Sequence, residues 1–330
     1  MGLILGIDQG GTKTIAALAN DYGEIVGVGC AAGACHSIEG MDMAIEYVRQ
    51  ATAQALAAAG CTMGEIDVVF AGMTGADWPH EYDQLQNALK RLFGSSQIYV
   101  ENDCMVAMRS GSDRADAAVI CAGTGLNAAV KTAQGERYIY GYYINSEDQG
   151  GEALGRSALK AVFNAECGLA PPTNLTERLL SYYQVNHTDE LAQICFSQRP
   201  GIYKGLAPLV FETATEGDRA AAQLVEQFGT RIAKYVTVAA HRLGIGNREM
   251  DVVLTGSIFK TTCKLFHHAV EHAIASQLPK AELVRPKYEP VVGAVLSGLD
   301  ALHERIFCSN STLMEASAGS SGIMRYEESR

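Results

Sequence analysis

The sequence is poor in basic residues. Its 26 Lys and Arg residues are outnumbered by 37 Asp and Glu residues, and the formal net charge is −11. Proteins that bind nucleic acids or acidic membranes present a basic surface, so the charge argues against both partners. An anionic ligand would have to be held by local groups, such as turn amides, helix N-termini and a bound cation.

The sequence also lacks a charged start followed by a long apolar core, because its first apolar run is interrupted at Asp8. Signal peptides and membrane-spanning helices both need an uninterrupted apolar run. We therefore expect a cytoplasmic protein.

Closely spaced cysteine pairs are missing as well. The nine cysteines form an odd number without a Cys-x-x-Cys pair, which disfavours a disulfide framework and a structural zinc cluster. The length of 330 residues and the apolar content of 48% indicate instead a globular protein with two domains.

A glycine turn near the start is the most informative motif that is present. It lies between the apolar runs 3–7 and 15–19 and consists of Asp8, Gln9, Gly10, Gly11, Thr12, Lys13 and Thr14. Paired glycines let the backbone approach a phosphate, the threonines and Lys13 supply donors and positive charge, and Asp8 could hold Mg²⁺ through water. Ordinary hairpin turns share this pattern, so a second signal is needed.

That second signal is a repeat of the same design. The turn Gly123-Thr124-Gly125 lies between the apolar runs 117–121 and 128–130. Two such turns, about one small domain apart, indicate an internal duplication in which both halves contact one nucleotide.

The order of these motifs resembles the actin-like ATPase superfamily. In that resemblance the first turn is the phosphate-1 motif, Gly123, Thr124 and Gly125 form phosphate-2, and Thr255, Gly256 and Ser257 belong to the adenosine motif. Over residues 2–305 the chain is most similar to the branch that holds N-acetylglucosamine kinases, glucosamine kinases and BadF/BcrA-type ATPases. The cysteine-rich signature of the related ROK kinases is missing.

The resemblance implies an α/β fold of two actin-like, ribonuclease H-like lobes, each with a mixed five-stranded sheet flanked by helices, and ATP in the cleft between them. The expected limits are 1–113 and 114–289, the second lobe carrying a helical insertion. A helix at 290–305 returns to the first lobe, with Gly293 and Ala294 near a hinge, and 306–330 form a tail. The pattern places strands near 3–8, 14–20, 24–30, 67–71, 97–100, 116–121, 126–131, 136–141 and 251–254.

Asp103 is our candidate for the general base of a phosphoryl transfer from ATP with Mg²⁺. It follows the strand at 97–100, at the edge of the sheet where such folds bind ligands, and a carboxylate there can accept the proton of a sugar hydroxyl. A simple role as the cap of the next helix is the alternative.

The resemblance also implies the acceptor site. Asp148 stands where these kinases hold sugar hydroxyls, Gly123 and Thr124 border the pocket, and Tyr142 occupies a position that is often tryptophan. Cys35 precedes His36 where the family commonly has asparagine, and a thiol lacks the two-sided hydrogen bonding of an amide. We expect an amino-sugar acceptor, N-acetylglucosamine first and glucosamine or N-acetylmuramic acid next. Because Cys35 replaces the asparagine, we expect a weaker preference for this sugar than in relatives that keep the asparagine. The resemblance also implies a homodimer.

Two alternatives stay open. BcrA-type ATPases hold an iron–sulfur cluster between two subunits and activate a 2-hydroxyacyl-CoA dehydratase, and Cys121 resembles part of their cysteine-containing turn, with Cys167 as a possible second ligand. The other alternative is a regulator that binds ATP without transferring its phosphate.

Overall fold

The computed structural model describes residues 2–94, 96–197 and 201–302. The predicted tail at 306–330 and the last residues of the predicted helix 290–305 lie outside this part of the chain.

The first half of the chain forms a mixed sheet in which five strands are described. The strands are β1 (Leu3–Gln9), β2 (Lys13–Asn20), β3 (Ile25–Ala32), β4 (Ile66–Met73) and β5 (Gln97–Asn102), in the order β3-β2-β1-β4-β5. β1 pairs antiparallel with β2 and parallel with β4, so β4 lies between β1 and β5.

Three helices accompany this sheet: α1 (Met41–Ala59), α2 (Pro79–Phe93) and α3 (Asp103–Gly111). Because side chains of a strand alternate between the two faces, Leu5 and Ile7 pack in one cluster with residues of α1 and α2, whereas Ile4 packs on the opposite face. The sheet is therefore apolar on both faces and needs cover on both.

The second half repeats the topology of the first. Its strands are β6 (Ala117–Ala122), β7 (Leu126–Lys131), β8 (Arg137–Ile139), β9 (Met250–Thr255) and β10 (Ala281–Val284), in the order β10-β9-β6-β7-β8. β6 pairs antiparallel with β7 and parallel with β9, as β1 does with β2 and β4. The predicted pair of mixed five-stranded sheets is confirmed, and β10 is the strand that the sequence pattern did not locate.

The predicted helical stretch between β8 and β9 contains α4 (Gly150–Glu166), α5 (Leu175–Tyr183), α6 (Thr188–Phe196), α7 (Leu206–Thr215) and α8 (Arg219–Arg242). A short 3-10 turn follows β9 at Ser257–Lys260, and α9 (Lys264–Gln277) connects it to β10. Residues of these helices share one large core with β6, β7 and β9.

The last described helix, α10 (Pro290–Leu302), returns to the first sheet, where Val291 and Val295 pack in one cluster with Ile4. It also crosses α3 with the two backbones in contact, since a Cβ placed on Gly293 would lie 1.9 Å from the carbonyl oxygen of Val106. α3 in turn packs through Met108 against the second sheet. The pair α3 and α10 thus joins the two lobes. Within the described ranges, no helix is long and apolar enough to cross a membrane.

Candidate active site

The first glycine turn connects β1 to β2 and is supported from beneath by another backbone segment. The amide of Gly10 donates to the carbonyl oxygen of Lys13 at 2.9 Å, while Gly11 and Thr12 are exposed. A Cβ placed on Gly33 would lie 2.5 and 2.4 Å from the amide nitrogens of Thr12 and Lys13. Only glycine allows this close approach, so Gly33 helps to fix the turn.

Two side chains of this turn already have protein partners. The ammonium of Lys13 lies 2.8 Å from a carboxylate oxygen of Glu289, the residue before α10. The hydroxyl of Thr14 is buried, donates to the carbonyl oxygen of Ala32 at 2.9 Å and accepts from Gln9 at 3.2 Å. The side chain of Thr14 therefore faces the interior of the lobe and is not presented by the turn.

Asp8 lies at the end of β1 and is only 8% exposed. Burial, and next the negative charge of Asp103, raise its pKa to about 7, and Lys13 offsets part of that rise. A buried carboxylate with a raised pKa is stabilised by a nearby cation, and an oxygen ligand suits Mg²⁺. Among the described residues, no three His, Cys, Asp or Glu side chains could hold a metal by themselves, so an ion beside Asp8 would take most of its ligands from water and phosphate.

Asp103 is the first residue of α3, and the cap of that helix is its neighbour. The side chain of Asn102 accepts a hydrogen bond from the amide of Cys104 at 3.0 Å and is the N-cap. Burial raises the pKa of Asp103 to about 6, against hydrogen bonds from the Cys104 amide and the side chains of Thr74 and Asn127. Asp103 is thus a fixed carboxylate with a pKa close to neutrality, as a general base requires.

The second glycine turn is packed against the start of α4. The amide of Gly151 donates to the carbonyl oxygen of Gly123 at 2.8 Å. Gly150 has a φ of +53°, and a Cβ on it would lie 2.3 Å from the carbonyl oxygen of Gly125. The turn and the helix N-terminus therefore form one unit, and both features favour anions.

The third glycine motif lies beside the second. Gly256 has a φ of +102°, and a Cβ on it would lie 2.2 Å from the carbonyl oxygen of Ala122, immediately before the second turn. A cavity of about 950 Å³ opens here, and among the predicted residues Gly123, Thr124 and Ser257 line it. Thr255 is buried at the end of β9. The cavity is large enough for a nucleoside.

The predicted acceptor residues divide into two groups. Cys35 and Tyr142 lie together, because the thiol of Cys35 is 3.1 Å and the hydroxyl of Tyr142 is 2.8 Å from the hydroxyl of Ser37. His36 joins them, since its Nε2 lies 3.7 Å from the carboxylate oxygen of Glu81 to which Tyr142 donates. The Cys35 side chain is buried, also faces the Thr74 carbonyl oxygen at 3.7 Å, and is not open to the cleft.

Asp148 forms the second group, with partners from α8. Its carboxylate accepts from Tyr235 at 2.8 Å and pairs with Arg231 at 3.2 Å. These contacts fix the loop that leads into α4.

A model of the BadF/BadG/BcrA/BcrD ATPase family matches residues 5–298. The chain belongs to this family.

Curated relatives of this BadF/BadG/BcrA/BcrD-family protein are sugar kinases. It is 23% identical to the N-acetyl-D-glucosamine kinase of Dictyostelium discoideum, over 91% of this chain and 98% of the relative. It is 24% identical to a glucosamine kinase of Vibrio cholerae, over 90% and 95%. A solved structure from Chromobacterium violaceum, described as a candidate N-acetylglucosamine kinase, superposes with a TM-score of 0.71 at 19% identity, covering 90% of this chain and 98% of that one.

The structure adds residues to the site of this family member that the sequence pattern did not single out. Asp77, in the loop after β4, accepts from Asn102 at 2.6 Å, and burial together with Asp103 raises its pKa to about 6. Asn127, two residues after the second turn, donates to Asn102 at 3.0 Å from the other lobe. Thr74 completes the surroundings of Asp103. One available signal was that Asn127 is a polar residue between Leu126 and the apolar run 128–130.

Proposed function

We propose that this protein is an ATP-dependent kinase that phosphorylates a hydroxyl of an amino sugar, with N-acetylglucosamine as the first candidate acceptor and glucosamine or N-acetylmuramic acid as the next. The observation that carries the proposal is the setting of Asp103. Asp103 directly follows β5, its neighbour Asn102 accepts a hydrogen bond from Asn127 just after the second turn, its charge acts on Asp8 at the first turn, and burial raises its pKa to about 6. The amino-sugar kinases among its relatives support the same conclusion.

In the proposed reaction Asp103 accepts the proton of the acceptor hydroxyl. The freed oxygen forms a bond to the γ-phosphorus of ATP while the bond between that phosphorus and the β,γ-bridging oxygen breaks, and ADP leaves. The carboxylate contributes by orienting the hydroxyl and holding its proton, because little covalent chemistry is left to the protein.

The nucleotide would be held by both lobes. We assign the phosphates to the first turn through Gly10, Gly11, Thr12 and Lys13, with Thr14 limited to its backbone, and to the second turn through Gly123, Thr124 and Gly125. The adenosine would occupy the cavity beside Thr255, Gly256 and Ser257. Lys13 would exchange Glu289 for a phosphate when ATP binds.

Asp8 would hold Mg²⁺ through water. The ion would neutralise charge on the β- and γ-phosphates, which is its usual contribution at kinase sites. Its presence would also stabilise the ionised form of Asp8, whose pKa is raised by burial and next by the charge of Asp103.

For the acceptor we keep His36, Tyr142 and Asp148 as residues that shape the pocket, with Gly123 and Thr124 at its border. Cys35 is buried and would act on the sugar through the position of its loop. The protein would work in the cytoplasm, where ATP is supplied, and as a homodimer, which light scattering on the purified protein would test.

The spacing of the cysteines does not favour an iron–sulfur activator. Cys121 precedes the second turn, against which α4 begins, while Cys167 follows the last residue of α4. A helix of 17 residues separates its ends by about 25 Å. Cys167 therefore lies at the opposite end of α4 from the turn that Cys121 precedes, which does not favour two ligands to one cluster.

A coupled assay of ADP release, run over a panel of amino sugars and N-acetyl sugars with Asp103→Asn as the control, tests the function. Release that depends on an amino sugar in the parent and is lost in the variant is the expected result. Equal release with and without every sugar would refute the kinase function and favour a regulator that only hydrolyses or binds ATP.

A further inference from the structure

The segment around Tyr142 belongs to the second lobe, yet its contacts lie on the first. The hydroxyl of Tyr142 donates to Glu81 at 3.1 Å and lies 2.8 Å from the hydroxyl of Ser37. Its ring centroid is 4.8 Å from that of Trp78. Tyr142 is 45% exposed, whereas Glu81 is buried, at 4% exposure, so the hydroxyl reaches from the surface to a carboxylate inside the first lobe.

Glu81 also binds the loop that carries Asp77. Its second carboxylate oxygen accepts from the amides of Asp77 and Trp78 at 3.0 and 2.9 Å. The side chain of Asp77 in turn accepts from Asn102, the residue before the proposed base. One carboxylate thus links the Tyr142 hydroxyl to the end of β5.

The lobes are joined a second time at Asn127. Its amide nitrogen donates to Asn102 at 3.0 Å, and its oxygen accepts from the amide of Gly141 at 3.0 Å. Gly141 is bonded to Tyr142, so the hydrogen bonds form a closed ring that crosses the cleft twice. The ring contains, in order, Tyr142, Glu81, Asp77, Asn102, Asn127 and Gly141.

We propose that the hydroxyl of Tyr142 is a positioning group that closes this ring across the lobes and so fixes the alignment of Asp103 for transfer. This inference rests on the proposed kinase function. Tyr142 acts through Glu81 and Asn102 and not by contact with the reacting atoms. A phenylalanine at this position could form the ring contact with Trp78 but has no hydroxyl to donate to the carboxylate.

The decisive variant is Tyr142→Phe, which removes the hydroxyl and keeps the ring. Tyr143→Phe is the matched control, because Tyr143 is the adjacent tyrosine and is 73% exposed. Ser37→Ala removes the second partner of the hydroxyl, together with the contact between Ser37 and the Cys35 thiol. A hydrogen bond to a carboxylate corresponds to roughly ten- to a hundredfold in an equilibrium, so kcat/KM for N-acetylglucosamine should fall by about that factor in Tyr142→Phe and only a few-fold in Ser37→Ala.

Two measurements report the lobe contact without catalysis. Trp78 is the single tryptophan of the chain. Its fluorescence, recorded with AMPPNP and N-acetylglucosamine, therefore reports changes in its contact with the ring of Tyr142. Hydrogen exchange of residues 35–39 and 140–144 reports the stability of the joined segments. In Tyr142→Phe the backbone amides of both segments should exchange faster, and the N-acetylglucosamine concentration that gives half of the fluorescence change should rise about tenfold. Tyr143→Phe should behave like the parent in both measurements.

The outcomes separate this inference from the proposed function. A parent that phosphorylates no sugar refutes the kinase function, and the exchange rates still decide whether the Tyr142 hydroxyl joins the lobes. An active parent with a Tyr142→Phe variant of equal kcat/KM and equal exchange would overturn the positioning role. Faster exchange with unchanged kcat/KM would also overturn it, because the bond would then be structural only.

Discussion

Neutralising Asp8 is expected to stabilise the ligand-free protein at the cost of activity. Its carboxylate is buried close to Asp103 and Glu289, and its pKa is raised from 3.8 to about 7. Above that pH the folded protein holds a charge that the unfolded chain solvates better. Asp8→Asn keeps the shape of the side chain and removes the charge.

The size of the effect follows from the pKa. The shift is about three units, and each unit corresponds to about 1.4 kcal/mol, so the ionised group costs on the order of 4 kcal/mol. The carboxyl of Asp103, whose pKa is also raised, is coupled to Asp8 and shares that cost, so we expect roughly 1–3 kcal/mol from the single substitution. For domains of this size that is a rise in Tm of roughly 2–8 °C.

The pH dependence has a definite sign. A carboxyl whose pKa is raised by folding destabilises the protein progressively as pH rises from about 4 to about 7. The gain in Tm from Asp8→Asn should therefore be largest at pH 8, smaller at pH 5 and absent near pH 4. Exposed Asp83 on α2 provides the control Asp83→Asn.

Thermal unfolding of parent and variants at these pH values, without Mg²⁺ and nucleotide, is the assay. A variant no more stable at pH 8 than Asp83→Asn, or a gain that does not shrink as pH falls, would refute the account of Asp8 as a strained carboxylate.

Three further predictions concern catalysis and the turns. Asp103→Asn should lose about 10²–10⁴-fold in kcat with nucleotide and sugar binding nearly unchanged, and retention of a tenth of parental turnover would assign the base elsewhere. Because Asp103 must be ionised to accept a proton, kcat/KM of the parent should rise with pH through about 6 and level off above it; a flat profile from pH 5 to 8 would contradict this role. Gly33→Ala should raise KM for ATP by about five- to a hundredfold, since its Cβ would push the first turn away. The control Gly64→Ala, which has open space around the new methyl group, should leave KM unchanged. Equal KM values in the two variants would show that the turn adapts to the added methyl group.

Most strands could be predicted because their apolar runs are bounded by turn residues. β10 was missed because it has only four residues, one of them Glu282. A four-residue edge strand of this mixed sheet is stabilised by its parallel pairing with β9, and no local sequence pattern reveals that pairing.

The missed part of the site follows from contacts between distant residues. The sheet order places β4 between β1 and β5, so the loop after β4 must lie between Asp8 and Asp103, and this topology could have pointed to Asp77. A second signal is the repeated Thr-Gly pair that follows β4 and ends β9, in which Gly75 and Gly256 both have positive φ. The bonds of Asp148 to Tyr235 and of Tyr142 to Glu81 join residues far apart in sequence, so no local pattern could have predicted them.

The return of α10 to the first sheet has a consequence for biosynthesis. Val291, Val295 and Leu299 cover the face of the sheet that carries Ile4 and Val68. A ribosome makes the chain from its N-terminus, and domains fold as they emerge. This apolar face therefore stays exposed to solvent until α10 has been synthesised. The strands and helices from β6 to β10 are contiguous in sequence and can fold before that. The half of the protein that is translated first is therefore completed last, and a nascent chain halted before α10 would be prone to aggregate through the uncovered face.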